Sequence, residues 1–163
     1  MEAKNCLEKV TSVFSAHKAE PLWQLRYFAV LALLTEIDGE LHFVLNKRAS
    51  GVNQPGDVCF PGGHQEKNEH LQETALREIY EEVGLQCRLL DGFRAEDHYA
   101  LPGKHGTMKQ VVYFLAEFTD QVPTPQPEEI ARVYLLPFEE ALKMLPFPEA
   151  RRILTQADQF LRR

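Results

Sequence analysis

The sequence has no cluster of basic residues, although 18 of its 163 residues are lysine or arginine. The 24 aspartates and glutamates outnumber them, so the formal net charge is −6 and the pI is about 5.5. Proteins that bind the nucleic-acid backbone gather positive charge on one surface, so this balance argues against that class. An acidic protein that acts on anions must gather positive charge locally or obtain it from a bound metal ion.

Cysteine and long apolar runs are also scarce. Cys6, Cys59 and Cys87 are odd in number and lack the close spacing of a disulfide framework or a zinc site, which favours free thiols in a reducing compartment. The longest apolar run, Tyr27 to Leu34, is far too short to span a membrane, and the acidic stretch MEAKNCLEKV has no signal-peptide core. We therefore expect a cytoplasmic protein without a membrane partner.

The rest of the composition is that of an ordinary globular protein, with 44% hydrophobic and 26% charged residues. We expect one domain over residues 1–163. Apolar residues at helical spacing predict helices over about 4–17, about 69–83, 138–145 and 149–161. Apolar runs and alternation predict strands at 26–35, 41–48, about 87–97, 110–118 and 130–136. Because these elements intermix without strict alternation, the predicted fold class is α/β (α+β), a mixed β-sheet sandwiched between helices.

Two segments between these elements are predicted to be loops. ASGVNQPGD (49–57) is rich in turn-forming residues. RAEDHYALPGKHGTMK (94–109) is long and polar and contains both glycine and proline. Loops of that length inside compact domains are often functional, so the second segment is a candidate for substrate binding.

The predicted helix at 69–83 carries three acids within five residues, Glu78, Glu81 and Glu82. At 3.6 residues per turn they project within an arc of about 100° that borders the apolar stripe of the helix. Repulsion between like charges grows at the edge of a buried face, and a divalent cation reverses it. Oxygen-rich sites of this kind suit Mg²⁺ or Mn²⁺. The other interpretation is a solvated acidic helix face, as most charge runs are.

The surrounding residues favour the metal site. Gly62 and Gly63 lie just upstream and allow the backbone to approach a ligand closely. Arg77 adjoins the acids, and Glu69, two turns earlier, can pair with it. The segment Gly63-x5-Glu69-x7-Arg77-Glu78-Ile79-x-Glu81-Glu82-x-Gly84-Leu85 resembles the Nudix box over residues 63–85 at all nine specified positions. The strands before and after it also resemble the Nudix fold, over most of residues 24–145.

This resemblance implies a pyrophosphohydrolase that cleaves a nucleoside diphosphate linked to another group, X, with Mg²⁺ or Mn²⁺ as cofactor. It implies that Glu78, Glu81, Glu82 and the Gly63 carbonyl hold the metal. It also implies that Arg77 and Glu69 orient the helix. The cations would template the diphosphate and stabilise developing charge.

The general base varies within the family, where it is either a box glutamate or an acid in a loop that faces the helix. PQPEEIARVYLL places Glu128 and Glu129 just before the last predicted strand. Many family members carry an acid there, and Glu129 is favoured by its position at the start of the strand. Two exposed loop acids with no catalytic role are the alternative.

Two subfamilies compete for the identity of X. Gly56-x3-Phe60-Pro61-Gly62-Gly63, preceded by the strand that ends at Arg48, resembles coenzyme A pyrophosphatases. Those enzymes carry an arginine four residues before the first glycine, and this chain has Val52 at that position.

The second half of the chain resembles dinucleoside tetraphosphate hydrolases, which also carry a Gly-His like Gly63-His64 and a lysine-bearing loop. The candidates for substrate contacts are Arg48, Lys104 and Lys109 for phosphate, and His98 or Tyr99 for base stacking. Each could equally be a solvated loop residue.

Other functions stay open. His64 and His70 have no cysteine partner, so a zinc site is disfavoured. A catalytically silent Nudix domain that only binds a nucleotide is the main alternative to an enzyme.

The predicted partner is a small nucleoside diphosphate derivative, and the amphipathic helix 4–17 and the C-terminal helix are compatible with a monomer or a homodimer.

Overall fold

A computed structural model describes residues 24–101 and 106–163. The predicted helix 4–17 therefore lies outside the described residues. The strands are β1 Gln24–Ile37, β2 Glu40–Arg48, β3 Val58–Cys59, β4 Gly62–His64, β5 Arg88–Ala100, β6 Thr107–Glu117 and β7 Ile130–Pro137. The helices are α1 Leu71–Val83, α2 Phe138–Met144 and α3 Pro148–Leu161. No helix among the described residues is long and apolar enough to cross a membrane.

Within the described ranges the strands form a mixed seven-stranded sheet, in which β3, β2, β1, β6 and β5 lie side by side. β1 runs parallel to β6 over its whole apolar length, and the other pairings are antiparallel. Beyond the β1–β2 hairpin, β4 pairs with β1 while β3 and β7 pair with β2. This arrangement brings the glycines of β4 to the centre of the sheet.

Helices cover both faces of the sheet, as predicted. α1 packs on one face, where Ala75, Ile79 and Val83 meet alternate residues of β1 such as Leu31 and Leu33. α2 and α3 pack on the other face, which we call the α3 face, against residues that include Leu34, Phe43 and Leu45. Because β1 is buried on both sides, its sequence reads as a continuous apolar run.

The ends of α1 follow its sequence. The carboxylate of Glu73 accepts the backbone N–H of His70, the residue before the first turn, at 2.8 Å. The helix ends at Gly84, which has φ 69° and donates its N–H to the Tyr80 carbonyl at 3.0 Å. Gly84 as the end of this helix is confirmed.

The prediction of a long loop over 94–109 is wrong. Residues 94–100 continue β5 and residues 107–109 begin β6, with pairs from Arg94↔Phe114 to Ala100↔Met108. β5 is an edge strand, so polar residues alternate along it and imitate a loop composition. The two short strands β3 and β4 were also missed, because two or three residues beside proline and glycine carry no periodicity.

Candidate active site

The three acids of α1 differ in their exposure. Glu82 is buried at 7% exposure and faces the sheet, while the Glu78 side chain is 17% exposed and that of Glu81 is 55% exposed. This ordering follows from the helical rotation that separates them. The acids therefore run from the sheet surface outward into solvent.

Arg77 connects these acids to the residues before the helix. Its Nε and Nη2 donate to the two oxygens of Glu69 at 2.9 and 3.2 Å. Its Nη1 donates to Glu78 at 2.8 Å and to Glu81 at 3.0 Å, and its Nη2 also reaches the His64 carbonyl at 3.1 Å. The carboxylate of Glu69 raises the pKa of Arg77 further above its usual value. Arg77 therefore fixes α1 against β4.

Glu69 is held from several directions. Besides Arg77, it accepts the Thr74 hydroxyl at 2.7 Å and the Glu66 N–H at 3.1 Å. The hydrogen bonds from Arg77 are the largest cause that lowers the pKa of Glu69 to about 2. Glu69 is therefore ionised throughout the physiological range.

Gly63 lies directly against the Glu78 carboxylate. A Cβ built on Gly63 would stand 2.2 Å from both Cδ and Oε2 of Glu78. Only a residue without a side chain allows this approach. Burial raises the pKa of Glu78, and the adjacent Arg77 opposes that rise.

Glu82 Oε2 accepts two hydrogen bonds from the sheet, one from Asn46 Nδ2 and one from the Gly62 N–H, each at 3.1 Å. Burial nevertheless raises the pKa of Glu82 to about 7. The Gly62 N–H opposes the rise, while the nearby carboxylates of Glu78 and Glu129 add to it. Glu82 and Glu78 are thus largely withdrawn from solvent, and the exposed Glu129 lies near them.

The segment between β6 and β7 brings Glu129 to these acids. Its backbone attaches to the last turn of α1, where Thr124 N–H donates to the Val83 carbonyl at 2.7 Å and Gln126 N–H donates to the Glu82 carbonyl at 2.8 Å. The Gln126 carbonyl then accepts the Glu129 N–H at 3.1 Å. Glu129 raises the pKa of both Glu78 and Glu82. Glu129 and its neighbour Glu128 are both exposed.

The donor set of this site fits a hard divalent cation, which prefers carboxylate and carbonyl oxygens. Among the described residues, one oxygen of each carboxylate accepts no hydrogen bond, namely Glu78 Oε2, Glu81 Oε1 and Glu82 Oε1. Within the same ranges no three His, Cys, Asp or Glu side chains already surround one point as metal ligands do. Nη1 of Arg77 lies between Glu78 and Glu81 instead.

A cavity of about 450 Å³ lies on the α3 face, beside β3, β4 and the start of α3. Its aromatic lining consists of Phe28, Phe60, Tyr99, Tyr113 and Phe147. Its charged lining consists of Arg48, Asp57, Asp97, Lys109 and Glu149. Gly62 belongs to the lining and also donates to Glu82, so the cavity and the acids share a wall.

Arg48 lies between the two regions. It donates through Nε to the Asn53 carbonyl at 2.7 Å, and its charge lowers the pKa values of both Glu82 and Lys109. Lys109 Nζ stands 3.7 Å from the centre of the Phe28 ring and 5.5 Å from that of Tyr99. Burial lowers the pKa of Lys109, and Arg48 lowers it further. Two cations are thus held near each other at a partly buried surface.

The structure brings most of the predicted site residues together. The residues that lie on or beside α1 are Gly63, Glu69, Arg77, Glu78, Glu81, Glu82 and Glu129. The residues that line the cavity are Arg48, His98, Tyr99 and Lys109. Lys104 lies outside the described residues. His64 packs edge-on against Phe28, with 5.1 Å between ring centres, and His70 begins α1.

Sequence reasoning missed Asn46 and, apart from Tyr99, the aromatic residues that line the cavity. A signal for Asn46 was present, because a polar residue interrupts the apolar positions of the strand LHFVLNKR. Phe147 had no such signal, because it lies between two prolines in a short connection whose position relative to β4 depends on the tertiary fold.

Comparison with known proteins supports the resemblance to the Nudix family over most of the chain. The family model described as NUDIX domain matches residues 25–157. Bis(5'-nucleosyl)-tetraphosphatase [asymmetrical] of Mus musculus is 33% identical over 134 residues, which cover 79% of this chain and 87% of that protein. Peroxisomal coenzyme A diphosphatase of Mus musculus is 29% identical over 114 residues, which cover 69% of this chain and 47% of that protein.

Among solved structures, a binary complex of a C. elegans Ap4A hydrolase superposes with a TM-score of 0.75 at 22% identity, over 84% of this chain and 98% of that one. This likeness shows a shared fold, and the prediction of a Nudix fold is confirmed. The sequence resembled two subfamilies, and a member of each is similar to this chain, namely a dinucleoside tetraphosphate hydrolase and a coenzyme A diphosphatase. The chain belongs to the Nudix hydrolase family.

Proposed function

We propose that this protein is a divalent-cation-dependent pyrophosphohydrolase that cleaves a nucleoside diphosphate linked to another group. The observation that carries the proposal is the position of Glu82. It is buried beside Glu78 and Glu129 and is hydrogen-bonded to Gly62, which also lines a cavity with cationic and aromatic walls. Clustered carboxylates beside such a cavity suit a diphosphate bound through a cation.

The residues of α1 and β4 would hold the metal. Glu78, Glu81, Glu82 and the Gly63 carbonyl supply the oxygens, and Arg77 with Glu69 keeps α1 in register with β4. A bound Mg²⁺ or Mn²⁺ would supply positive charge to the phosphate oxygens and lower the pKa of an attacking water. Nucleoside diphosphate derivatives are anionic, so this chain of net charge −6 needs that charge at the acids.

Glu129 is proposed as the general base. Its backbone is tied to the C-terminal turn of α1, and its carboxylate interacts with those of Glu78 and Glu82. A base in this place would accept a proton from water beside the metal ligands. We expect Glu129→Gln to reduce kcat by about 10²–10⁴-fold with little change in KM.

Glu128→Gln is the matched control for this variant, because Glu128 is the adjacent, equally exposed acid and is not among the main groups that shift the pKa values of Glu78 and Glu82. It should retain the turnover of the native protein. Equal turnover in the two variants would remove Glu129 from the mechanism and leave a box glutamate as the base.

A dinucleoside polyphosphate is the substrate class that we favour. Lys109 and Arg48 offer two cations beyond the acids, which suits a chain of more than two phosphates, and Tyr99 and Phe147 expose aromatic rings for a base. Lys104 is proposed as a further phosphate ligand from the sequence alone. The relative with the more extensive match is a tetraphosphatase.

A coenzyme A-type substrate is the second candidate. The segment from Gly56 to Gly63 that resembles coenzyme A pyrophosphatases forms the wall between the cavity and the acids. Its presence there supports a substrate whose diphosphate lies along β3 and β4.

The decisive experiment is a substrate panel with Mg²⁺ or Mn²⁺. The panel contains a dinucleoside tetraphosphate, coenzyme A, ADP-ribose, a nucleotide sugar and nucleoside triphosphates, with products separated by chromatography. Glu82→Gln should be inactive, and Glu140→Gln, which changes an exposed acid of α2, should not differ from the native protein. Cleavage by the native protein and loss in Glu82→Gln support the proposal and identify X.

A catalytically silent nucleotide-binding domain is the alternative function. It predicts that a nucleotide binds in the cavity while no member of the panel is cleaved with either metal. That result would overturn the proposed activity. The expectations of a cytoplasmic location, of one domain over the whole chain and of a monomer or homodimer stay predictions.

A further inference from the structure

Asn46 is a polar residue in the interior of the sheet. It is fully buried in β2, between β3 and β7, where it pairs with Cys59 and Val133. Strand alternation places its side chain on the face that α1 covers, together with Val44, which packs in the apolar cluster under α1. An apolar side chain at position 46 would continue the apolar surface that packs under α1.

The contact of Asn46 with α1 is specific. Its Nδ2 donates to Glu82 Oε2 at 3.1 Å, and the Gly62 N–H donates to the same oxygen at 3.1 Å. Two donors from two strands on one oxygen fix the plane of the carboxylate. Oε1 of Glu82 accepts no hydrogen bond from the described residues, so it is the oxygen presented to a ligand.

Folding alone does not account for an amide at this position. Asn46 Oδ1 is buried and has no hydrogen-bond partner among the described residues. A buried acceptor without a partner is unfavourable, and leucine of similar shape would avoid it. The opposite orientation of the amide would point Oδ1 at the Glu82 carboxylate, where two acceptors repel, so the assignment of Nδ2 to this contact is firm.

We propose that Asn46 is a positioning residue of the metal site, which holds the Glu82 carboxylate so that Oε1 faces the cation. The proposal rests on the proposed function, because it takes Glu82 as a metal ligand. Partners that orient a ligating carboxylate affect metal affinity about 10–100-fold when they are removed. Asn46 acts from the sheet and does not touch the substrate.

The test measures Mn²⁺ binding to the substrate-free protein by electron paramagnetic resonance, which detects free Mn²⁺. Asn46→Leu should fold at least as stably as the native protein and bind Mn²⁺ about 10–100-fold more weakly. Thr35→Val, which removes another buried polar group from the adjacent strand β1, should leave Mn²⁺ binding unchanged. If Asn46→Leu does not fold, Asn46→Ser replaces it, because its shorter side chain does not reach Glu82.

The same substitution in a Glu82→Gln background separates positioning from a general structural effect. If Asn46 acts through Glu82, Asn46→Leu changes Mn²⁺ affinity in the native background and causes no further loss when Glu82 is already glutamine. Equal losses in both backgrounds, or no loss in either, overturn the proposal for Asn46 while the metal site stands. Full Mn²⁺ binding by the Glu82→Gln single variant instead overturns the metal site itself, and the role of Asn46 with it.

Discussion

Gly63→Ala tests whether the close approach of β4 to α1 serves activity or folding. The added Cβ would stand 2.2 Å from Cδ and Oε2 of Glu78, where ordinary contact begins at 3.4 Å. The Glu78 carboxylate must therefore move by on the order of 1 Å. A misplacement of that size in a catalytic group costs about 10²-fold in rate.

The fold should tolerate this substitution. Gly63 does not have the positive φ that excludes alanine, and the atoms it would displace belong to the end of a flexible side chain. We expect the free energy of unfolding to change by no more than about 1 kcal/mol. The assays are steady-state hydrolysis of the substrate that the panel identifies and urea denaturation of the same preparations.

Two neighbouring glycines serve as controls. Gly51→Ala has no atom within 4 Å of its new Cβ and should be neutral in both assays. Gly62→Ala would place its Cβ 2.4 Å from the Ala29 carbonyl oxygen in a backbone with φ +143°, so it should lose stability. Full activity in Gly63→Ala would refute the inference that the Glu78 position matters for the reaction.

Other variants test the charges around α1. Arg77→Met should lower the free energy of unfolding by about 1–3 kcal/mol, as measured by urea denaturation, since it leaves the partly buried Glu78 without its donor and removes the ion pair of Glu69. Because the folded-state pKa of Glu69 is lowered to about 2, its stabilisation is present above its ordinary pKa of 4.5 and is lost as the pH falls through 2. Glu69→Gln should therefore be less stable than the native protein at pH 6, and the difference should shrink towards pH 2. For Glu82 the sign is reversed, because its pKa is raised to about 7. The stabilisation that the protonated Glu82 gives the folded state is present below its ordinary pKa of 4.5 and is lost as the pH rises through 7. In EDTA at pH 8, Glu82→Gln should thus be more stable than the native protein by about 3 kcal/mol, with no such gain at pH 4. Removal of metal with EDTA should abolish turnover of the native protein, and Mg²⁺ or Mn²⁺ should restore it; turnover in EDTA would contradict the metal requirement.

Much of the fold follows from the sequence because its main elements are strongly patterned. β1 is a continuous apolar run, α1 has a regular apolar stripe, and Gly84 ends the helix as expected. Besides the two short strands β3 and β4, the prediction failed at the edge of the sheet, where residues 94–100 of β5 are mostly polar. An exposed strand has no apolar face of its own, so its pairing with β6 depends on the partner and is not visible locally.

Part of the candidate site could likewise be predicted from the sequence, and part of it could not. The acids, Arg77 and Glu69 lie within one short segment, so helical geometry alone relates them to each other. Asn46 and Gly62 reach Glu82 from separate strands, and their convergence depends on the register of β1 with β2 and β4. Contacts of that kind follow from sheet topology and are not encoded in local spacing.

The attachment of the segment before β7 to α1 has a consequence for how this site tolerates change. The backbone N–H groups of Thr124 and Gln126 donate to carbonyls at the C-terminal end of α1, so the stretch from 124 to 130 is attached to the helix. Ahead of it, Val122 is 84% exposed. Added residues near Val122 should therefore form a harmless surface loop, whereas the same insertion between Gln126 and Glu129 would separate an acid from its neighbours. We therefore expect related chains to vary in length near Val122 and to keep a constant length between Gln126 and Glu129.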